Sequence, residues 1–370
     1  MRSPIIGKTK SKKKKPYVKF VVIFAAAIMI IAGVGCYVWK QEHRSKVLEI
    51  YIFNMSSGNA VFVRTPEDER ILIDGGGNSN IIRELTKILP FYTRRIDTLI
   101  STNTEGKNVA GLIDVLDRYE VKSMYVPAVT LRSLMLASST DQIYETFIGH
   151  ALQEGIKVNG VSAGQTMDFD ANELHTTTHY ADSRANVSGE AIHSIVRFTV
   201  LFPVLVGPEI STSSSPAFKY SKASAPELLM KLDFGATSAV LLGDASVKIQ
   251  KYIASASDSL APHKNSLASN VLIVSHSALP SNMSAKLAEY THPDYLVYAK
   301  AESTSKLAVT SSVNSIATKV TSKTATSTSV KKPIPDPFVY MSPENKLNTK
   351  KVGTVHLISD GVNFRVVVGE

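Results

Sequence analysis

Between Leu48 and Pro127 short apolar runs alternate with segments of helical spacing, and few architectures accommodate a chain with that rhythm. Leu48 to Phe53 and Ala60 to Arg64 are parted by Asn54-Met55-Ser56-Ser57-Gly58-Asn59, and Ile71-Leu72-Ile73 follows a polar turn at 66–70. Three strands joined by tight turns are expected. Asp74-Gly75-Gly76-Gly77 breaks the third, after which Ile81, Ile82, Leu85, Ile88 and Leu89 recur at helical spacing until Pro90 stops them. A glycine-rich turn here lacks the lysine and hydroxyl of a phosphate-cradling loop, so it is a strand-to-helix turn. Ile96 to Ile100 is the next strand. Val109, Leu112, Ile113, Leu116 and Tyr119 mark a second helix, and Met124-Tyr125-Val126 is a strand ended by Pro127. This half belongs to the α/β class.

The rest of the chain is less regular. Ile143, Phe147, Ile148 and Leu152 predict a helix, and Gly164 to Phe169 and Phe198 to Phe202 predict strands flanking a polar insertion. Leu228, Met230 and Leu232 alternate as in a strand; Ser238 to Leu242 runs into Gly243-Asp244, and Val271 to Val274 into Ser275-His276-Ser277. Polar groups at such strand ends can converge on one edge of a layered α/β fold. Residues 302–337 are rich in Ser, Thr and Lys and close on Pro333, Pro335 and Pro337, which predicts a solvated insertion. Phe338-Val339-Tyr340, Val352 to Ile358 and Phe364 to Val368 return to strand pattern, so residues 338–370 are expected to complete the domain begun at 47–301.

Charge is segregated. Eight of the 41 basic residues fall in positions 1–19 with no acid among them, leaving 33 basic against 32 acidic residues for the remainder. The basic excess belongs to the leader and is no sign of a nucleic-acid-binding domain. Phe20 to Val38 is uncharged, and its nineteen residues reach about 28 Å as a helix, close to a hydrocarbon core. Residues 20–39 therefore predict a transmembrane helix, closed by Tyr37 and Trp39 as an interfacial aromatic pair. A cleaved secretory signal is the rival reading, and Gly33-Val34-Gly35-Cys36 resembles a lipoprotein cleavage box without its large aliphatic residue. Lys12 to Lys15 on one flank place the N-terminus in the cytoplasm and the domain outside the cell membrane, as a single-pass protein. Cys36, the only cysteine, lies in the span, so the outer domain holds together without disulfides or thiolate metal sites.

Leu48-Glu49-Ile50 through Ser57-Gly58-Asn59-Ala60, Ile71 to Gly76, Ile81 to Leu85, Leu89-Pro90-Phe91, Arg95-Ile96-Asp97 and Gly111-Leu112 resemble the extracytoplasmic metallo-β-lactamase-fold domain of ComEC-type competence proteins. Leu242-Gly243-Asp244, Val274-Ser275-His276, Gly353-Thr354-Val355 and Ser359-Asp360-Gly361 continue the likeness, but the multi-span channel of those proteins has no counterpart. The resemblance implies a four-layer αββα sandwich with a metal site on one edge. Active members carry His-x-His-x-Asp-His after the fifth strand, binding zinc or manganese to activate a bridging water. Those positions are Asn103, Glu105, Lys107 and Asn108, and the early acidic turn has become Asn54 to Asn59.

The implied site is therefore vestigial: Asn54, Asn59, Asp74, Asn103, Glu105, Lys107, Asn108, Asp244 and His276. An ammonium about 4 Å from a divalent ion costs roughly 8 kcal/mol at an effective dielectric near 20. No metal or other cofactor is expected; Lys107 is expected to fill the space and pair with Glu105 or Asp244. If a metal does bind, Asp244, His276 and Glu105 would hold zinc or manganese. Plainer readings stand beside these. Asp244 serves as a turn or helix cap, His276 is hydrogen-bonded at a strand end, and His175 and His179 lie in a solvated loop, since the threonines between them disfavour helix. Ser275-His276-Ser277 is a poor nucleophile and base, because adjacent strand residues face opposite ways. The function expected is a membrane-anchored, catalytically inactive protein acting by binding, to DNA or a surface partner. A one-metal phosphodiesterase or nuclease and a structural ectodomain are the alternatives.

Overall fold

The computed structural model describes residues 21, 23–33, 35, 46–130, 141–169, 195–204, 227–259, 267–274, 283–298 and 336–369. Expectations for the basic leader, Cys36, His175, His179, Ser275-His276-Ser277 and the insertion at 302–334 lie outside these residues. The chain divides into two units, 1–45 and 46–370. In the first, residues 21, 23–33 and 35 are helical. Among the described residues no helix is long and apolar enough to cross a membrane, and the flanks of the expected span lie outside them.

The second unit contains two sheets. The first is built from β1 (Leu48–Ile52), β2 (Val61–Arg64), β3 (Arg70–Ile73), β4 (Arg95–Ile100), β5 (Glu120–Pro127), β6 (Lys157–Val161), β14 (Val355–Ser359) and β15 (Phe364–Val368), ordered β15-β14-β1-β2-β3-β4-β5-β6. The second comprises β7 (Thr166–Phe169), β8 (Val196–Phe202), β9 (Leu229–Phe234), β10 (Thr237–Leu241), β11 (Val271–Val274), β12 (Tyr295–Tyr298) and β13 (Lys346–Asn348), ordered β13-β12-β11-β10-β9-β8-β7. Helices α1 (Asn80–Ile88), α2 (Gly106–Leu116) and α3 (Gln142–Gln153) follow strands of the first sheet; α4 (Val247–Ser259) and α5 (Ala285–Thr291) follow strands of the second.

Three apolar cores define the layers. Ile50, Val63 and Ile73 of the first sheet meet Phe198, Leu232 and Ile273 of the second between the sheets. Phe62, Leu72 and Leu99, on the first sheet's other face, pack against Ile81, Leu85, Leu112 and Phe147 of α1 to α3. Val240, Leu272 and Leu296 do the same with Ile253 and Leu287 of α4 and α5. The result is a four-layer αββα sandwich. The central strand Val271–Val274 is buried on both faces, which is why it reads as an unbroken apolar run. Each fully buried Leu or Ile contributes about 1.5–3 kcal/mol.

Strand direction sorts the loops onto two edges. β1 and β3 to β6 run the same way, so Asp74 and the 101–105 loop leave at one edge, called upper, while 65–69, 89–94 and 117–119 lie at the lower edge. The sheets agree, since Leu228 N donates to Thr102 O at the upper edge and Ala236 N to Gly361 O at the lower.

Two strand expectations need correction. Phe338-Val339-Tyr340 is a turn: Asp336 accepts from Phe338 N at 2.9 Å, and only Phe338 is buried while Val339 and Tyr340 are exposed. The strand expected from Val352 begins at Val355, because Asn348 caps a helical turn, α6 (Thr349–Val352), and Gly353 at φ 81° redirects the chain. Asp141 joins two helix starts, accepting from Ile143 N at 2.9 Å and from Gly106 N at 3.3 Å. Asp141→Ala is expected to cost about 1 kcal/mol, read as a fall in urea midpoint at unchanged slope; no fall would mean solvent replaces both bonds without loss.

Candidate functional site

The upper edge gathers most of the residues singled out in the sequence. Asp74 ends β3 in a left-handed conformation, φ 57°, which turns its carboxylate back into the protein. There it accepts from Thr102 N at 2.8 Å and Thr102 Oγ1 at 2.6 Å, locking the end of β4 to the end of β3. Burial pushes the Asp74 carboxyl up to about 7, against the Thr102 hydrogen bonds that favour ionisation; Asp244 adds to the rise.

The loop that follows holds a chain of amides. Asn103 Oδ1 accepts from Glu105 N at 3.0 Å and from Asn108 Nδ2 at 3.1 Å. Asn108 Oδ1 accepts from Asn59 N at 3.0 Å and Asn59 Nδ2 at 3.4 Å. Both Asn103 and Asn108 are buried, and each amide oxygen accepts two hydrogen bonds from neighbouring N–H groups. The 54–59 loop can lie this close only through Gly58: at φ 70°, a Cβ there would fall 1.7 Å from Lys107 O. Gly111 serves the same end on α2, where a Cβ would sit 2.1 Å from Gly75 O. Asn54, by contrast, is exposed on its loop.

Lys107 reaches outward from the first turn of α2 to two acids. Its Nζ lies 2.7 Å from Glu105 Oε2 and 2.9 Å from Asp244 Oδ2, so it takes both expected partners. The Lys107 side chain is 38% exposed, Glu105 43% and Asp244 6%, making Asp244 the acid most removed from water. Burial works against the Lys107 ammonium, but the hydrogen bonds to Glu105 and Asp244 and their charges outweigh it and raise its proton affinity. Asp244 lies after β10 and ahead of α4, in a turn.

Glu227 is a site residue that the sequence pattern did not reveal. It stands just before β9, whose entry is pinned by Leu228 N donating to Thr102 O at 2.6 Å. It is 8% exposed, and burial, reinforced by Asp244 and Glu105, pushes its carboxyl up to about 8, with Lys107 pulling the other way. An acid opening an apolar strand after a Ser-, Ala- and Pro-rich stretch was the one available signal. Nearby, a cavity of about 40 Å³ opens between the sheets beside Asn59, Asp74, Thr102 and Gly243, room for a few waters. Lys350 of α6 donates to Met55 O across the same edge, and burial lowers its proton affinity.

The donor set does not fit a metal centre. The amide oxygens of Asn103 and Asn108 are turned to N–H donors, and an ammonium stands between the two carboxylates that would face an ion. Among the described residues, no three of His, Cys, Asp and Glu converge closely enough to hold one. His276 lies outside the described residues.

No family model matches this sequence, and no curated protein matches it. Several solved structures resemble it in three dimensions, among them metallo-β-lactamase-fold proteins. The metallo-β-lactamase fold protein YhfI of Bacillus subtilis gives a TM-score of 0.38 at 10% identity, over 68% of this chain and 85% of that one. Zinc-bound PqqB of Methylobacterium extorquens gives 0.39 at 10% identity, over 68% and 88%. A long-form RNase Z from yeast gives 0.37 at 13% identity, over 69% of this chain but 38% of its own. The four-layer arrangement itself stands on the three cores described above, independently of these likenesses.

Proposed function

We propose that this chain is a membrane-anchored domain of metallo-β-lactamase type, related to the extracytoplasmic domain of ComEC-type proteins, whose catalytic edge has been converted to a metal-free binding surface. The observation that carries this reading is the Lys107 ammonium bridging Glu105 and Asp244. A side-chain cation held by the fold replaces the charge that an ion would supply, without the open coordination positions that hydrolysis needs. The anchor is residues 20–39, with the N-terminus cytoplasmic and the domain outside.

The partner follows from the charge of this edge. Glu105 and Asp244 flank the Lys107 ammonium and use up its charge, and the buried acids Asp74 and Glu227 lie behind them, so the edge offers little positive charge to the phosphates of DNA. A cell-surface protein offering basic or amide groups fits better than a nucleic acid. The one-metal hydrolase reading would require an ion to displace Lys107 from Asp244. Elemental analysis of the purified protein, incubated with zinc and manganese and freed of excess ions, decides between them. The binding reading expects no retained metal; near-stoichiometric metal that disappears in Asp244→Ala would sink it and turn attention to phosphodiesterase assays.

A further inference from the structure

The lower edge, opposite the carboxylate cluster, carries an aromatic and basic loop that nothing above explains. Helix α1 runs down from the upper edge and ends at Leu89, and residues 90–94 turn the chain into β4. At that turn Phe91 is 90% exposed and Tyr92 72% exposed, their rings in edge-to-face contact with centroids 5.4 Å apart. Two large neighbouring aromatics left in solvent do nothing for the core, and Phe91 has no polar group to satisfy there. In the segment that carries them, residues 83–95 contain Arg83, Lys87, Arg94 and Arg95 against the single acid Glu84. Lys87 binds Glu84 at 2.7 Å and Arg95 binds the buried Asp97 at 2.8 Å, while Arg94 is exposed. Arg118 and Lys122 lie on the same edge, Lys122 paired with Asp97 at 2.9 Å, and so do the acids Glu67, Asp68, Glu69, Asp117 and Glu120.

The path of the chain adds a second, independent observation. β1 starts at the lower edge, and just before it Lys46 Nζ lies 3.9 Å from Glu67 in the β2–β3 turn. The chain thus enters the domain at the edge that carries the aromatic loop. Only residues 40–45 separate that entry from the end of the expected span, and six residues extend at most about 20 Å.

We propose that the 90–95 loop is a membrane-docking element, seating Phe91 and Tyr92 in the interfacial region of an anionic bilayer with the exposed Arg94 on a lipid phosphate. This rests on the membrane-anchored reading above and adds a contact of the domain's own. Aromatic side chains favour the zone between headgroup and acyl chain, and basic side chains concentrate at anionic surfaces. Docked in this way, the domain turns its carboxylate edge away from the lipid, where a surface partner can reach it.

The chain's only tryptophan is Trp39, so a single reporter can be moved. The full chain is reconstituted into vesicles of neutral phosphatidylcholine, or of phosphatidylcholine with phosphatidylglycerol, each containing lipid brominated near the headgroup end of its acyl chains. Three proteins are compared: the unaltered chain, Trp39→Phe with Phe91→Trp, and Trp39→Phe with Ser56→Trp as an upper-edge control. The expected result is bromine quenching at position 91 that is at least about twofold stronger in anionic than in neutral vesicles, with none at position 56. Quenching of Trp39 without quenching at position 91 overturns the docking proposal and leaves the anchor standing. No quenching at Trp39 removes the membrane reading and this proposal with it. A reporter at position 91 shielded from aqueous iodide but untouched by brominated lipid assigns the loop to a protein contact instead, which also overturns the proposal.

Discussion

Lys107→Met is expected to destabilise the folded domain by about 2–3 kcal/mol at pH 8 and by less than about 1 kcal/mol at pH 5. The substitution keeps an unbranched apolar stem, one atom shorter, and removes the charge with its hydrogen-bond donors, so the difference between the two pH values reports electrostatics. At pH 8 it takes from Asp244 the ammonium 2.9 Å away, on an edge already crowded by Glu105, Glu227 and Asp74. Removing one partner of a fully buried pair costs about 3–5 kcal/mol; the partial exposure of Lys107 justifies the lower figure. At pH 5 Asp74 and Glu227 carry protons and the repulsion relaxes. Denaturant unfolding at the two pH values checks this. An equal loss at both would mean that the lysine acts by packing its methylenes and not by balancing charge.

Glu227→Gln is expected to stabilise the protein at pH 8, by about 2–3 kcal/mol, and to leave it unchanged near pH 4. The sign follows from linkage. Burial raises the Glu227 carboxyl from 4.5 to about 8, so the folded state binds a proton that the unfolded state has already released. Its contribution is fully present below the unfolded value and is lost as pH climbs towards 8. The full shift corresponds to about 5 kcal/mol, roughly halved here for solvent relaxation around the site. Asp74 acts in the same direction, between its ordinary value of 3.8 and about 7. Glu49 and Asp336, both held below their ordinary values, act oppositely and only in acid. Unfolding free energy should therefore decline from pH 5 to pH 8, and the amide should flatten that decline. A variant with the unaltered protein's slope would place Glu227 in water, outside the cluster.

The first half of the fold was legible because each element there is long enough to show its period and is closed by a breaker. Ile81 to Leu89 stops at Pro90, and Ile71 to Ile73 stops at the Asp74 turn. In the second half the signals shorten. β12 has four residues and β13 three, too few to display an alternation, and α4 carries Ile249 and Ile253 among lysines and serines that dilute its apolar face. Phe338-Val339-Tyr340 misled because one anchoring phenylalanine beside two exposed apolar residues looks like a strand when contacts are unknown. The pairing of Lys107 with nearby acids could be anticipated from its place in a strand-to-helix loop. Glu227 could not: its burial depends on β9 reaching the end of β4, a contact between residues more than a hundred positions apart.

The antiparallel pairing of β1 with β14 matches Leu48 to Ser359, so the strand that opens the domain waits for one encoded roughly 300 residues later. At ribosomal speeds of about 5–20 residues per second that is a delay of roughly 15 to 60 s. During that interval one side of β1 is an unpaired edge, a template for aggregation, and the contact that finally covers it lowers the folding rate through its long sequence separation. Truncation before residue 355 would make that exposure permanent, whereas in the finished sheet the β14–β15 hairpin covers β1 and hands the role of edge strand to β15.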